Sequence, residues 1–439
     1  MKNAQAPQIH HTPKLGSENR KSSKSKGAKD SATHIYHEHL DKIGEIAVYY
    51  GFSPKKSPEI KKVDLEYAKA LLAGDFIDDE EDGHARLPLH VEEKVALLRM
   101  YQEHAMYELP QPVMLYFKEP FKGASLLPSR KQSSYHRYAD LEIIGNARSI
   151  AEATLIQTAR VMLQEEGYEN ICVEINSIGD KDSIARFNRE LTTYYRKHVN
   201  DMHAECRQLL KQDAFELLMC TNEKCLVMNK EAPKSMNFLT EASRLHFQEV
   251  LEYLEKLGIP YRINHHLVGN RKYCTETIFS IVNMDHDAKQ DPKKTGHHKI
   301  LAVGVRYDGL ARKVGMKRDI QGVSLSMLVK GNKPDLRKEL KKTKRPIASY
   351  VQLGFESKLI SLGVIETLRK VKVPLYLSLA KDRLGAQVSI IEKNNIPYTL
   401  IMGKKEAMEK SIIVRNTDTH AQETILLEKL GEHMKRLEK

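Results

Sequence analysis

Two short runs gather most of this chain's surplus cations, and clustered cations suit one task well, the neutralisation of a polyanion. Residues 1–29 hold seven Lys/Arg against one Glu, and residues 331–345 (GNKPDLRKELKKTKR) hold seven against two acids, in a chain of net charge +12. The second run contains Lys341, Lys342, Lys344 and Arg345. Lys404 and Lys405 follow Gly403 where a helix is expected to begin, so free backbone N–H groups would stand beside them. Arg383 heads another expected helix. These positions suit contacts with a polyanion such as RNA, and a solvated helix end is an equal reading of Lys404 and Lys405. The plainer reading of the tail alone is a solubilising segment. A carboxylate, Glu142, closes the alternating strand of YADLE, where a structural and a catalytic role are both open. Cys220 and Cys225 are separated by four residues, with no second Cys/His pair recognised nearby, so ordinary thiols are expected and no metal.

The composition bounds what carries these groups. The chain has 439 residues, 41% of them hydrophobic, which allows two to four domains with sizeable cores. It has no apolar run of about 18 residues, so no membrane partner is expected. Its start lacks the apolar centre of a secretory signal. Five scattered cysteines do not make a disulfide framework, and a reducing cytoplasm is expected.

Periodicity then divides the chain. Residues 1–34 lack apolar periodicity and read as a disordered basic tail. Helices are predicted near 35–50, over 62–74 and over 92–104, with an acidic loop at 74–83 and a strand at Val113–Phe117. The segment from Tyr138 to Gly179 reads as strand, Gly-Asn turn, amphipathic helix and strand. Residues 182–218 read as a long charged helical segment, with Ile184, Phe187, Leu191, Tyr195, Val199 and Met202 at helical spacing. That segment interrupts the core strands, so 180–240 is expected to be a helical insertion. A helix over 240–257 and strands at 261–264, 277–283, 299–304 and 322–328 return to the core. Beyond a basic linker at 331–345, residues 346–439 alternate strand and helix: strands at 347–352, 374–378, 398–402 and 412–415, helices at 356–370, 383–394 and 421–437. That alternation predicts a small α/β domain with a largely parallel sheet.

The order of segments in 138–179, with Gly304-Val305-Arg306-Tyr307-Asp308-Gly309-Leu310 further on, resembles the catalytic core of histidyl-tRNA synthetase, a class II aminoacyl-tRNA synthetase. Residues 346–439 are similar to the anticodon-binding domain shared by the histidyl, glycyl, threonyl and prolyl enzymes, notably at Met402–Ala407 and Ile413–Asn416. The resemblance spans roughly residues 40–439. It implies an α+β fold: an antiparallel core from 35–179 and 241–330, the insertion, and the C-terminal domain. It also implies a homodimer, with residues 43–51 and 57–60 in the place of the family's dimer motif, and tRNA as partner.

The resemblance assigns roles residue by residue, and the matches are uneven. Family members place an Arg on the α-phosphate of ATP, another on adenine, acids that carry Mg²⁺, and an acid facing the substrate amine. Within Leu115–Gly123 the α-phosphate Arg is matched by Lys122, which keeps the charge without the planar fork. The Gln near the substrate is matched by Tyr138, and the acid of that strand by Glu142. In the family's Leu-Arg-Pro-Glu-x-Thr, Glu92 is kept and the Thr becomes Lys94. In its Leu-Val-Arg-Gly-Leu-Asp-Tyr-Tyr, the Arg becomes Gly269 and the second Tyr becomes Cys274, while Tyr273 is kept. Arg271 would share the face of Gly269 on a strand. Tyr307 lies in the nearly intact Gly304–Leu310 motif. The adenine-stacking Arg aligns with Val329.

Lys122, Glu142 and Arg271 are thus the catalytic candidates, and Glu92, Tyr138, Tyr273 and Tyr307 the substrate-binding ones. Three readings follow: an RNA-binding paralogue with weakened or lost aminoacylation that needs no cofactor; an active ligase using ATP and Mg²⁺ through Lys122, Arg271 and Lys330; or a protein-binding regulator like the regulatory subunit of ATP phosphoribosyltransferase. The last family typically lacks the anticodon-binding domain.

Overall fold

Alternating side chains in the core strands decide the architecture, because each strand has one face of apolar residues and one of mixed polarity. The computed structural model describes residues 40–72, 90–118, 121–123, 136–218, 220, 222–285, 299–330, 345–377 and 395–438. The expected tail, the acidic loop, the expected helix at 383–394 and all of the basic linker except Arg345 lie outside these residues.

The first elements are α1 (Lys42–Tyr49), β1 (Ser53–Lys55), β2 (Glu59–Ile60), α2 (Lys62–Leu72), α3 (Val91–Glu103), β3 (Val113–Phe117), β4 (Lys122–Gly123) and β5 (His136–Ile144). The core continues through α4 (Ile150–Glu165) and β6 (Ile171–Gly179). The insertion holds α5 (Lys181–Lys197), α6 (Ala204–Gln212), α7 (Ala214–Leu218) and α8 (Glu223–Lys230). The core closes with α9 (Glu241–Lys256), β7 (Tyr261–Ile263), β8 (Thr275–Asn283), β9 (Lys299–Arg306), α10 (Leu310–Lys313) and β10 (Gly322–Lys330). Its eight strands lie in the order β1-β3-β5-β10-β9-β8-β6-β7. All neighbours are antiparallel except the edge pairs β1–β3 and β6–β7. β2 and β4 pair separately.

The back of this sheet is its apolar side. Ala139, Leu141 and Ile143 of β5 and Val323, Leu325, Met327 and Val329 of β10 join one buried cluster with α4. α4 is buried almost all round, between the sheet and helices α1 and α9. One carboxylate in it, Glu152, is fully buried and takes both Nε and Nη2 of the equally buried Arg306 at 2.7 and 2.6 Å. The remaining guanidinium hydrogens reach the Asn146 and Arg148 carbonyls and Asp308. His246 of α9 meets the same carboxylate at 2.8 Å.

The C-terminal domain has β11 (Ala348–Gln352), α11 (Phe355–Lys370), β12 (Leu375–Leu377), β13 (Tyr398–Met402), the short helix Lys404–Met408, β14 (Ser411–Asn416), β15 (Gln422–Leu426) and the helix Leu427–Leu437. Its order is β12-β11-β13-β14-β15. Two corrections apply. The sheet is mixed, because β14 and β15 are antiparallel additions to the parallel β12-β11-β13. The last helix begins at Leu427, since residues 422–426 pair with β14 as a hairpin after the Asn416–Thr419 turn. A third correction concerns the insertion: the expected continuous segment 182–218 is broken after Lys197 by a 3₁₀ turn at Val199–Asp201 and again at Asp213, giving α5, α6 and α7. The domain docks on the core through α11. Tyr50 bonds Glu366 at 2.9 Å, Phe355 packs edge-on against Tyr253, and Arg369 reaches Glu165 at 3.4 Å.

Burial would raise the Glu152 carboxyl, but Arg306 and His246 together pull it from 4.5 down to about 2. A depressed carboxyl contributes stability above its unfolded value and loses it as pH falls towards the folded one. Urea unfolding should therefore show stability falling between about pH 4.5 and 2, and less steeply in Glu152→Gln. Glu152→Ala, which strands a buried guanidinium, should cost about 3–5 kcal/mol near neutral pH. A neutral outcome for Glu152→Ala would show the pair does not hold the helix to the sheet.

Candidate active site and RNA interface

The front of the core sheet carries polar residues at the alternate positions. Glu142 of β5 lies opposite Ser324 of β10, and Asp140 lies opposite Ser326, whose hydroxyl donates to the Asp140 carboxylate. Tyr138 follows on the same face, half-buried. A strand pattern of this kind usually faces solvent or ligand. Here α3 closes it. Glu142, Asp140 and Ser324 have no exposed surface, and Ser326 has almost none.

The contact that closes the face is ionic. Lys94 of α3 is buried, and its ammonium donates to Oε1 of Glu142 in a close ion pair. The Tyr307 hydroxyl, fully buried, donates to Oε2 of the same carboxylate at 2.9 Å. Burial raises the Glu142 carboxyl from 4.5 to about 7, and Lys94 and Tyr307 hold that rise down. Burial works against the Lys94 ammonium, but Glu142, Asp140 and Glu93 outweigh it and hold its proton more tightly than usual. Tyr307 is held neutral by burial and by the adjacent Glu142. Its ring passes under Gly322, where an added Cβ would stand 2.4 Å from it, so the glycine is required.

The candidate residues are only partly brought together. Glu142 and Tyr307 meet directly. Tyr273 is buried in the same apolar cluster as Tyr307. Glu92, on the first turn of α3, is fully buried with Oε1 3.1 Å from Nδ1 of His90. Lys122 pairs through its backbone with Glu59 in the small β2–β4 ladder. Lys94, treated in the sequence only as a replaced threonine, proves central. Its signal was already present: a long cation where the family keeps a short hydroxyl demands a buried acid.

Arg271 is not on a strand. Residues 271–273 form a turn closed by Tyr273 N–H and Cys274 N–H donating to the Asn270 carbonyl at 3.2 and 2.8 Å. Its guanidinium pairs with Asp213, at the junction of α6 and α7, and lies 5.9 Å from the Phe215 ring centre. The expectation that it shares a strand face with position 269 is therefore corrected: Arg271 fastens the insertion. Gly269 has φ +57°, and a Cβ there would meet Ile278 at 2.9 Å. Val329 is buried on the back of the sheet, in the core under α4.

An open cleft of about 430 Å³ lies elsewhere, lined by Asp180, Asp182, Glu276, Asp308 and Asp319, with Lys181 and Gln321 among the remaining residues. Five carboxylates around one lysine do not attract a triphosphate. Neither Lys94, Glu142 nor Tyr307 lines it.

Of the expected RNA contacts, Lys341, Lys342, Lys344 and Arg383 lie outside the described residues. Arg345 is exposed at the start of the C-terminal domain. Lys404 and Lys405 are 70% and 77% exposed, available to a polyanion, although Lys404 pairs with Glu356 at 2.9 Å. The backbone contribution expected beside them is corrected. Their helix has five residues, and the Gly403 N–H is taken by Glu406 at 2.9 Å.

Lys94→Met tests the closed face. It leaves Glu142 buried without its counter-charge. A carboxyl raised on folding costs stability as pH rises from its unfolded towards its folded value, so the loss should be larger in alkali. At about pH 8 the variant should lose about 3–5 kcal/mol, and at about pH 5 distinctly less. Equal losses at both pH values would mean that Lys94 matters only through packing.

Comparison with known proteins follows the same lines. A family model described as an anticodon binding domain matches residues 354–437. The histidine–tRNA ligase of Halothermothrix orenii is 27% identical over 363 residues, covering 82% of this chain and 84% of that protein. That of Caldanaerobacter subterraneus is 24% identical over 399 residues, covering 89% and 93%. Among solved structures, apo S. aureus histidyl-tRNA synthetase aligns with TM-score 0.47 at 23% identity, over 89% of this chain and 93% of that one. With the antiparallel core, the insertion and the C-terminal domain in place, the chain is similar over most of its length to histidine–tRNA ligases, and its C-terminal domain matches an anticodon binding domain.

Proposed function

We propose that this protein is a tRNA-binding relative of the histidine–tRNA ligases in which histidyl-adenylate formation is severely weakened or lost. One observation carries the reading: the Lys94 ammonium sits on Glu142, the acid that matches one lining the family's substrate site. A tethered cation competes there with any free amine or imidazolium at high effective concentration. The losses at Lys122, Gly269 and Val329 point the same way. A single missing donor to developing charge typically costs about 10²–10³ in rate, and three such positions are altered here. On this reading the protein works in the cytoplasm and needs neither ATP nor Mg²⁺.

The retained anticodon-binding domain supports RNA as the partner. Beyond Pro346 that domain carries fifteen Lys/Arg against eleven acids, a modest surplus, so the basic runs at 1–29 and 331–345 should dominate the affinity. A two-fold homodimer belongs to the same reading. Ile43, Ile46 and Ala47 of α1 are buried in their own chain, so its contacts would come from the edge strand β1 and the segment around β2.

Three measurements test this. Histidine-dependent pyrophosphate exchange should be absent or reduced by at least about 10³ relative to an ordinary synthetase; exchange at the ordinary rate would establish an active ligase and overturn the proposal. In salt titrations of tRNA binding, a variant lacking 1–29 with the linker lysines neutralised should bind more weakly and with a shallower log–log slope. Identical slopes would remove those segments from the interface. Light scattering at micromolar concentration should give the mass of a dimer, and a monomer would refute that assembly.

A further inference from the structure

The insertion gathers three cysteines that the chain keeps well apart. Cys206 sits on the first turn of α6, Cys225 on the first turn of α8, and Cys220 just before α8. Their three sulfur atoms lie within 4.8 Å of one another, and Cys206 Sγ is 3.8 Å from Cys220 Sγ. Two sulfurs bound tetrahedrally to one zinc ion at about 2.3 Å each are about 3.8 Å apart. A disulfide needs about 2.05 Å, so the cluster is spread for a shared ion rather than for a bond. All three are free thiols. Cys206 and Cys225 are buried, while Cys220 is partly exposed.

A candidate fourth donor precedes them in sequence, its ring outside the three-sulfur cluster of this structure. His203 is the N-cap residue of α6, three positions before Cys206, its side chain makes no capping hydrogen bond, and it is exposed. Residues three apart at a helix start share a face. The chain thus reads His-x₂-Cys followed by Cys-x₄-Cys, two ligand pairs of the kind that form closed four-coordinate sites. The expectation of ordinary thiols and no metal rests on the absence of a second Cys/His pair beside Cys220 and Cys225, whereas the fold brings Cys206 into their cluster.

Burial alone pushes the Cys206 and Cys225 thiols up, so a bound cation would have to hold them as thiolates. Cys206 and Cys225 lie where the positive ends of two helix dipoles act, which favours sulfur anions. The cluster also lies where tertiary support is needed. The expected continuous helix is interrupted before α6 and before α7, and a cross-link between the starts of α6 and α8 would fix both breaks.

We propose that Cys206, Cys220, Cys225 and His203 form a structural zinc site that staples the insertion. Each coordinating thiol gives up its proton on binding, and no redox change is involved.

The test uses the full chain. Purified from zinc-containing medium, it should carry about one zinc ion per chain by elemental analysis, and native mass spectrometry should show the same adduct. After chelation, titration with Co²⁺ should give thiolate-to-cobalt charge-transfer and tetrahedral d–d bands at about 1:1 stoichiometry. Cys206→Ser and Cys225→Ser should each weaken metal binding at least about tenfold. His203→Ala, at an exposed position that should not disturb folding, should weaken it while retaining the thiolate bands. A chain without zinc, cobalt spectra without a thiolate band, or a non-reduced chain lighter by a hydrogen pair within this cysteine set would each overturn the site. The unsubstituted chain decides the matter even if a cysteine variant fails to fold.

Discussion

A charge cut off from water must have its counter-charge within reach, and that requirement fixes how this core is covered. Both faces of the sheet are closed by a helix that is tied to it through one buried ion pair. On the back, the helix supplies the acid and the sheet the cation, Glu152 of α4 and Arg306 of β9. On the front the roles are reversed, with Lys94 of α3 and Glu142 of β5. Neither pair is strong evidence of net stability, because desolvation offsets most of the Coulomb gain. Each is strong evidence of registry. Sliding α3 by one residue along the sheet would leave an ammonium and a carboxylate buried and unpartnered, a cost far larger than that of an apolar mismatch.

The front pair also determines what chemistry remains possible. A substrate-binding acid works because its charge is free to meet an incoming cation. Here Glu142 already accepts from an ammonium and a phenol, both buried. Ser326 donates to one oxygen of Asp140, and the other oxygen is buried without a hydrogen-bond partner among the described residues. An open cleft among the described residues lies apart from this pair, and its walls are mostly carboxylate.

Much of this was legible in the sequence because period and punctuation coincide. Val113–Phe117 and Tyr398–Met402 fall where alternation and flanking turns put them, and α9 ends where Gly258 follows the last apolar position. What was not legible depended on tertiary pairing. Residues 422–426 look helical in isolation and become a strand because β14 offers them an open edge. Arg271 looked catalytic by position, but position along a chain does not say where a turn will aim a side chain, and Asp213 is 58 residues away in sequence. The role of Lys94 could be inferred from the sequence, since a lysine amid Val91, Val95 and Leu98 on a helix facing the core must find an acid. Its partner could not be inferred, because several carboxylates were available.

The same logic bears on the C-terminal domain. α11 packs against α1, α4 and α9, so the C-terminal domain is seated on the core and its exposed cations have a fixed orientation relative to it. The basic run 331–345 joins the end of β10 to the start of β11, two strands held in different sheets. That run carries seven cations and ends at Arg345, where the domain begins. On the reading proposed above, a phosphate backbone held by such a run would gain affinity without any shaped pocket, because each contact after the first is intramolecular. Specificity would then have to come from the domain itself, whose own charge surplus is small. On the reading proposed above, attraction resides in the basic run and recognition in the domain, and neither depends on the residues under α3.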